Sequence, residues 1–219
     1  MSALELQGVT LAIAGRHLLG PISVDVAPGQ IASLRGPSGV GKSSLLAYVC
    51  GALSSGIKGT GRVLLNGEDV TDVPIERRGI GILFQDDLLF AHLSVAGNLA
   101  FGLRKINRSI ADRRKMIDDA LDVVGMPGYA ARDPATLSGG QRARVSLLRV
   151  LLSHPRALLL DEPFAHLDPE TRLSVRQLVF GQVRSLSLPT ILVTHDDEDM
   201  LAAAGACIDL VPHSQGRTC

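Results

Sequence analysis

The sequence predicts an α/β protein in which a mostly parallel sheet is preceded by an antiparallel β subdomain and interrupted by an inserted α-helical subdomain. Three observations support this prediction. Residues 4 to 34 have the patterns of strands, with two stretches that alternate apolar and polar side chains, and apolar strands later alternate with helix-length segments. Between residues 86 and 137 the pattern is helical. A chain of 219 residues can bury one substantial core, so we expect a single domain.

The N-terminal β subdomain is predicted from two alternating stretches, "LELQGV" and "PISVDV". Gly15 and the pair Pro28-Gly29 supply turns between the strands. The stretch "GQIASL" then leads into a glycine-rich loop, and "GRVLLNGEDV" predicts a hairpin around Asn66-Gly67.

The parallel sheet is predicted from the apolar stretches "GIGILFQ", "ALLLD", "TILVTH" and "ACIDLV". Helices predicted to begin at Ser138 and Pro169 separate three of them, as in a sheet covered on both faces. We therefore predict a core of residues 1–85 and 138–212, a helical subdomain of residues 86–137 and a tail of residues 213–219.

Composition narrows the possible partners. Basic and acidic residues balance at 22 each and tryptophan is absent, so neither charge nor stacking side chains favour a nucleic-acid partner. Three scattered cysteines without metal-ligand spacing favour a reduced setting over a disulfide framework. We expect no export signal and no membrane-spanning segment, because every long apolar run is cut by a charged residue.

One glycine-rich stretch, "GPSGVGKS", fits the P-loop pattern G-x-x-x-x-G-K-[ST] and lies between a predicted strand and a predicted helix. Glycines let backbone N–H groups converge on phosphate oxygens, and the helix N-terminus adds its positive dipole end. The alternative is a glycine-rich turn with a chance Lys-Ser pair. We expect a P-loop NTPase core in which the phosphates contact Gly36, Pro37, Ser38, Gly39, Val40, Gly41, Lys42, Ser43 and Ser44.

Polar residues follow three buried strands where a bound phosphate would lie. Asp161 and Ser43 are candidate Mg²⁺ ligands, and Glu162 is a candidate base for, or orienter of, an attacking water. His195 ends another strand, and Gln85, which ends a third, can ligate Mg²⁺ and hydrogen-bond water. The alternatives are a solvated strand end, a structural histidine and a surface glutamine.

A second glycine-rich stretch, "LSGGQ", opens a predicted helix with Ser138, Gly139, Gly140 and Gln141. A capped helix N-terminus with two glycines can bind an anion. We expect that it does not reach the P-loop of its own chain across the helical insert, whereas two copies related by a twofold axis could each face the other's P-loop. The alternative is an ordinary glycine-rich helix start.

These motifs resemble, in order, those of an ABC transporter ATP-binding subunit. The resemblance adds the D-loop "AHLD" with Asp168, and it covers residues from about 4 to 211. The stretch "LLFAHLSVAGNLAFGL" resembles the importer type, although Ala91 replaces a usual proline and Gly97 a usual glutamate. The family commonly stacks adenine on an aromatic residue where this chain has Ile13, which implies an apolar contact instead.

The resemblance implies ATP and Mg²⁺ as ligands, transmembrane permease subunits and a second copy of the chain as partners, and an extracytoplasmic solute-binding protein reached through the permease. It implies a peripheral location at the cytoplasmic face of the inner membrane. Within the helical subdomain, candidate permease contacts are Leu88, Leu89, Phe90, Leu93 and Phe101. Alternatives are a soluble ABC-type ATPase in DNA maintenance or translation, and a P-loop kinase. The cargo and the direction of transport stay open.

Overall fold

The computed structural model describes residues 4–103 and 109–210. The predicted tail of residues 213–219 lies outside them. The described part of the chain divides into two compact units: the first comprises residues 4–80, 156–161 and 183–210, and the second residues 81–103, 109–155 and 162–182. In chain order the elements are β1 Leu4–Ile13, β2 Arg16–Val26, β3 Ile31–Arg35, α1 Lys42–Cys50, β4 Ile57–Leu65, β5 Glu68–Asp69, α2 Ile75–Arg78, β6 Ile80–Leu83, α3 Val95–Gly102, α4 Ile110–Val123, α5 Gly139–Leu151, β7 Ala157–Asp161, α6 Pro169–Ser185, β8 Thr190–Val193, α7 Asp197–Ala203 and β9 Cys207–Asp209.

The N-terminal sheet of the first unit is antiparallel, as predicted. Its strands lie in the order β2-β1-β4-β5, and Leu4 of β1 pairs with Val26 on one side and Leu65 on the other. Alternate residues of β1 are buried at its start because one face of the sheet meets the core. Sheet register and burial therefore agree with the alternation in the sequence.

The other sheet of the first unit contains the parallel strands β7, β8, β3 and β9 in that order. Leu34 of β3 pairs with Val193 of β8, and Val193 also pairs with Asp161 of β7. Every residue of β8 is buried, as expected for a central parallel strand that is covered on both faces. The three strands therefore end in one row, at one edge of the sheet.

Helix α1 connects the glycine-rich loop to the rest of the first unit. It packs against β7 and ends at Gly51, whose φ of 86° allows the chain to turn. The buried guanidinium of Arg78 closes this end of the helix, and burial lowers its pKa. Its nitrogens donate to the backbone carbonyls of Tyr48, Val49, Thr71 and Val73. A sequence scan for helix caps does not find this cap, because it comes from a residue far along the chain.

The second unit is built on helices α3, α4 and α5. Their apolar faces form one cluster with the loops between them, including Val95, Leu99, Leu121, Val145 and Leu148. Ser94 and Ser109 cap α3 and α4 by accepting hydrogen bonds from Gly97 and Asp112. Helix α5 belongs to the same unit as α3 and α4. The division into a core of residues 1–85 and 138–212 and a helical subdomain of residues 86–137 stays a prediction.

None of the helices in the described parts of the chain combines the length and the apolar character that crossing a membrane requires.

Candidate active site

The first glycine-rich loop, residues 36–43, follows β3 and opens α1. Gly39 and Gly41 have φ values of 79° and 103°, which side-chain-bearing residues rarely adopt. A Cβ at Gly36 would lie 2.7 Å from the carbonyl oxygen of Leu210, so this glycine is required by packing. A Cβ at Gly39 would meet nothing within 4 Å, and its surface is open to a ligand.

Lys42 lies across this loop and is only 8% exposed. Its Nζ donates to the carbonyl oxygens of Gly36 at 2.7 Å and Pro37 at 3.0 Å. A buried ammonium with two of its three donors held by the loop is a fixed positive charge suited to phosphate. Among its neighbours, Val40 is buried, while Pro37, Ser38, Gly39 and Ser43 are exposed and Ser44 is half-buried.

The strand ends of the first unit bring two further predicted residues to the same edge as this loop. Leu34 of β3, Val193 of β8 and Asp161 of β7 lie in register, so these three strands end side by side. The glycine-rich loop follows β3, His195 follows β8, and Asp161 is the last residue of β7. Asp161 is half-buried and His195 is exposed. The hydroxyl of Thr194, beside His195, donates to Asp199 at 3.1 Å and accepts from the Asp196 backbone N–H, which holds the turn.

The predicted Mg²⁺ ligands offer only oxygen atoms: a hydroxyl from Ser43, a carboxylate from Asp161 and an amide from Gln85. Mg²⁺ prefers oxygen and usually keeps waters and substrate phosphates besides one or two carboxylates, so the donor set fits this ion. Among the described residues no group of three or more histidines, cysteines and acids could hold a metal ion. Ser43 and Asp161 belong to the first unit and Gln85 to the second.

Gln85 lies in the second unit, just after β6. Its Nε2 is 3.0 Å from Nε2 of His166, and Nδ1 of His166 is 3.7 Å from a carboxylate oxygen of Asp86. These residues line a cavity of about 390 Å³ whose other lining residues are Asp87, Leu88, Leu89, Ala91, Pro134, Ala135, Gly139, Arg142, Ala143, Pro163 and Leu167.

Helix α5 holds the segment that follows Gln85. Arg142 forms an ion pair with Asp87 at 3.2 Å, and the Ser146 hydroxyl donates to the Asp87 carbonyl oxygen at 2.9 Å. Arg149 donates to the carbonyl oxygens of Leu88 and Asp87. Burial raises the pKa of Asp87, and the hydrogen bond from Arg142 opposes this rise. Sequence reasoning missed these three α5 side chains.

The "LSGGQ" stretch starts α5 with a capping box. The Ser138 hydroxyl accepts from the Gln141 N–H at 3.3 Å, and Gln141 Oε1 accepts from the Ser138 N–H at 3.0 Å. Gln141 Nε2 also donates to the Tyr129 hydroxyl at 3.2 Å. The structure therefore brings these predicted residues together at one helix N-terminus, where N–H groups and the helix dipole attract anions.

The two glycines of this stretch have different surroundings. A Cβ at Gly140 would lie 2.3 Å from Cγ2 of Thr171 in α6, so Gly140 lets the two helices approach each other. A Cβ at Gly139 would lie 3.6 Å from Leu167, an ordinary contact distance. Gly139 is therefore the half-exposed glycine of the pair, and Gly140 is the buried one.

Glu162 has a φ of 46°, a left-handed conformation that is uncommon for a residue with a side chain. Such strain concentrates at functional sites. The following turn is closed by a hydrogen bond from the Ala165 N–H to the Glu162 carbonyl oxygen. It leads to Asp168, whose carboxylate accepts from the Thr171 N–H at 3.1 Å. That hydrogen bond lowers the pKa of Asp168 and caps α6.

Ile13 ends β1 in the first unit and is 45% exposed at a hairpin with Ala14 and Gly15. Within the same hairpin, Leu18 packs on the P-loop, because a Cβ at Gly41 would lie 3.2 Å from Leu18 Cγ. The predicted nucleotide contact is therefore an exposed aliphatic side chain on a hairpin that touches this loop.

The chain combines a P-loop that contains a buried lysine, an acid and a histidine at neighbouring strand ends, and a helix that begins with two glycines. These features define a nucleoside-triphosphate-binding α/β protein. Comparison with known proteins identifies the family. The family model described as ABC transporter matches residues 19–165. The chain belongs to the ABC transporter family.

Known relatives agree with this assignment. The chain is 45% identical over 210 residues to the uncharacterized ABC transporter ATP-binding protein YnjD of Escherichia coli strain K12, covering 96% of both chains. It is 41% identical over 207 residues to the Fe(3+) ions import ATP-binding protein FbpC of Streptomyces coelicolor, covering 93% of this chain and 58% of that protein. The structure of cbiO1 from Clostridium perfringens, part of the ABC transporter complex cbiONQ, matches with a TM-score of 0.84 at 29% identity, over 95% of this chain and 84% of that one.

These matches confirm the predicted α/β fold with a P-loop NTPase core and the predicted family. The chain is an ATP-binding and ATP-hydrolysing subunit that powers transport of a solute as part of an ABC transporter. They give no support to a role in DNA maintenance or translation, or to a P-loop kinase.

Proposed function

We propose that two copies of this chain bind two molecules of ATP with Mg²⁺ between them and pass the free energy of closing to transmembrane permease subunits. The observation that carries this proposal is the presence of two glycine-rich helix starts, the P-loop with Lys42 before α1 and the capped N-terminus of α5 at Ser138 and Gly139. Phosphoryl transfer depends on positioned charge around the γ-phosphate, so a second set of donors is what one P-loop lacks.

In this proposal the P-loop residues 36–43 and Ser44 hold the phosphates, with Lys42 as the fixed charge. Ser43, Asp161 and Gln85 hold Mg²⁺, which would neutralise phosphate charge when bound. Ser138, Gly139, Gly140 and Gln141 of the opposite copy, with Asp168, complete the site. Ile13 contacts the base.

The proposed hydrolysis places three side chains around the attacking water and the γ-phosphate. Glu162, whose backbone is held at a φ of 46°, accepts a proton from the water or orients it. His195 hydrogen-bonds the γ-phosphate, and the hydrogen bonds of Thr194 hold the turn beside it. Gln85 hydrogen-bonds the water through its amide.

The proposed permease contact is an exposed apolar surface on the second unit. Leu88 is 56% exposed with a φ of 46°, and Phe101 is 45% exposed. Phe90 lies 5.0 Å from Phe101 between ring centroids, with the Arg149 guanidinium 5.4 Å above its ring. The half-buried Leu89 and Leu93 complete the set of apolar residues that we propose a short apolar helix of a permease covers.

The same proposal places the chain at the cytoplasmic face of the cell's inner membrane, held there by the permease. An importer would add an extracytoplasmic solute-binding protein on the other side. The relatives carry names for different cargoes, Fe(3+) ions in one and sulfate or thiosulfate in others. We therefore assign the choice of cargo to the permease and the solute-binding protein.

The variant Glu162→Gln tests the paired arrangement. It keeps a polar side chain but removes the proton acceptor, so we expect ATP binding without turnover and a stable dimer. Light scattering after gel filtration with ATP and Mg²⁺ measures the mass. The matched control, Glu162→Gln with Lys42→Ala, should stay monomeric because it lacks the phosphate grip. A monomeric Glu162→Gln protein at saturating ATP contradicts the proposal.

A further inference from the structure

His166 lies in an exposed turn between Glu162 and Asp168, two residues of the proposed site. The turn is fixed before it by the hydrogen bond from Ala165 to Glu162 and after it by that from Leu167 to Phe164. Its imidazole therefore projects from a defined backbone. Nε2 of the ring lies 3.0 Å from Nε2 of Gln85, a residue 81 positions earlier in the chain.

In the structure the amide nitrogen of Gln85 faces Nε2 of His166. An amide nitrogen only donates hydrogen bonds, so in this arrangement Nε2 accepts. The ring hydrogen is then on Nδ1, which faces the carboxylate of Asp86 at 3.7 Å. An acidic neighbour favours that tautomer, because it attracts the N–H dipole.

This arrangement orients the amide of Gln85. With its NH₂ group held by the imidazole, the amide presents its oxygen on the opposite side. A half-turn of the amide would instead present NH₂, which cannot ligate a cation or accept a hydrogen bond from water. With the ring hydrogen on Nδ1, this hydrogen bond favours the amide orientation that leaves the oxygen available.

We propose that His166 is a positioning residue that holds the Gln85 amide so that its oxygen faces the reacting phosphate. The inference rests on the proposed function, since it gives Gln85 the role stated there. It assigns a role to the histidine of "AHLD", which the sequence motifs left without one. It also connects Gln85 to the turn that begins at Glu162.

The test is steady-state ATP hydrolysis by the full chain. His166→Ala should lower kcat about 3- to 10-fold, the effect of one lost hydrogen bond, with KM for ATP within about twofold of wild type. His166→Gln can still accept from Gln85 and should recover most of the loss. The matched control His154→Asn removes another exposed histidine, at φ 50°, where asparagine is tolerated, and should behave as wild type.

Double variants separate this inference from the proposed function. In a Gln85→Ala background, His166→Ala should have no further effect, since its partner is gone. An unchanged kcat in His166→Ala, or a loss that adds fully to that of Gln85→Ala, overturns the positioning role. If Gln85→Ala itself leaves kcat unchanged, the role proposed for Gln85 is wrong, and the inference fails with it.

Discussion

Gly140 offers a sharp prediction, because the structure gives it a packing role inside a motif that faces phosphate in our proposal. A Cβ added by Gly140→Ala would lie 2.3 Å from Cγ2 of Thr171. Ordinary carbon contacts lie at about 3.5 to 4.0 Å, so the two helices would have to separate by roughly 1 Å. The capping box of α5 and the Asp168 cap of α6 oppose such a movement.

The expected magnitude follows from two opposing effects. Overpacking a buried contact costs about 1 to 3 kcal/mol, and alanine in place of glycine inside a helix contributes about 1 kcal/mol of stability. We expect Gly140→Ala to lower the free energy of unfolding by about 1 kcal/mol. For a chain of this size that corresponds to a fall in Tm of about 2 to 4 °C.

A second substitution changes the sign of this effect. Thr171→Ser removes the methyl group but keeps the hydroxyl that hydrogen-bonds Asp168. In that background Gly140→Ala should raise stability by about 0.5 to 1 kcal/mol, because only the gain in helix propensity is left. Urea unfolding of the four proteins measures both changes. Equal losses in the two backgrounds would refute the packing argument.

Three further predictions follow from the first unit. Arg78→Met should lower the free energy of unfolding, measured in urea, by about 3 kcal/mol, because it leaves buried carbonyl groups unpaired. Arg78→Lys should lie between Arg78→Met and wild type, and a wild-type stability of Arg78→Met would contradict this account. In the folded chain iodoacetamide should modify the exposed Cys207 but not Cys50, because burial raises the pKa of the Cys50 thiol. Peptide mass spectrometry distinguishes the two cysteines, and labelling of Cys50 before the chain unfolds would contradict this prediction. Ile13→Tyr should lower the Kd of ATP about 3- to 10-fold and that of CTP less, and equal gains would argue against a stacked base.

The fold could be predicted because its signals are local. The alternation in β1, the fully apolar β8 and the glycine–lysine pattern before α1 each report on neighbouring residues. Parallel strands then place Asp161 and the start of the P-loop at one edge of the sheet without any knowledge of side-chain contacts. The candidate residues at the P-loop and at the strand ends are therefore predicted from local sequence patterns and from the parallel arrangement of the strands.

The remaining features depend on contacts between distant positions. His166 meets Gln85 across 81 residues, and Arg142 meets Asp87 across 55. Neither pair has a periodic signal, and each side chain alone is compatible with a solvated surface. Gly140 is predicted to contact phosphate, and its close approach to Thr171 is a further feature that depends on the packing of two helices. The two acidic residues after Gln85, Asp86 and Asp87, are the sequence signal that could predict basic or polar partners for this segment.

The central claim is that each ATP is bound by the P-loop of one copy and the α5 N-terminus of the other. Mixing Lys42→Ala protein with Ser138→Arg protein tests it most directly, because each variant alone has no complete site. A mixed pair has one intact site where a wild-type pair has two, so the equimolar mixture should recover about a quarter of wild-type ATP hydrolysis when half of the pairs are mixed. An equimolar mixture no more active than its separate components would contradict the claim.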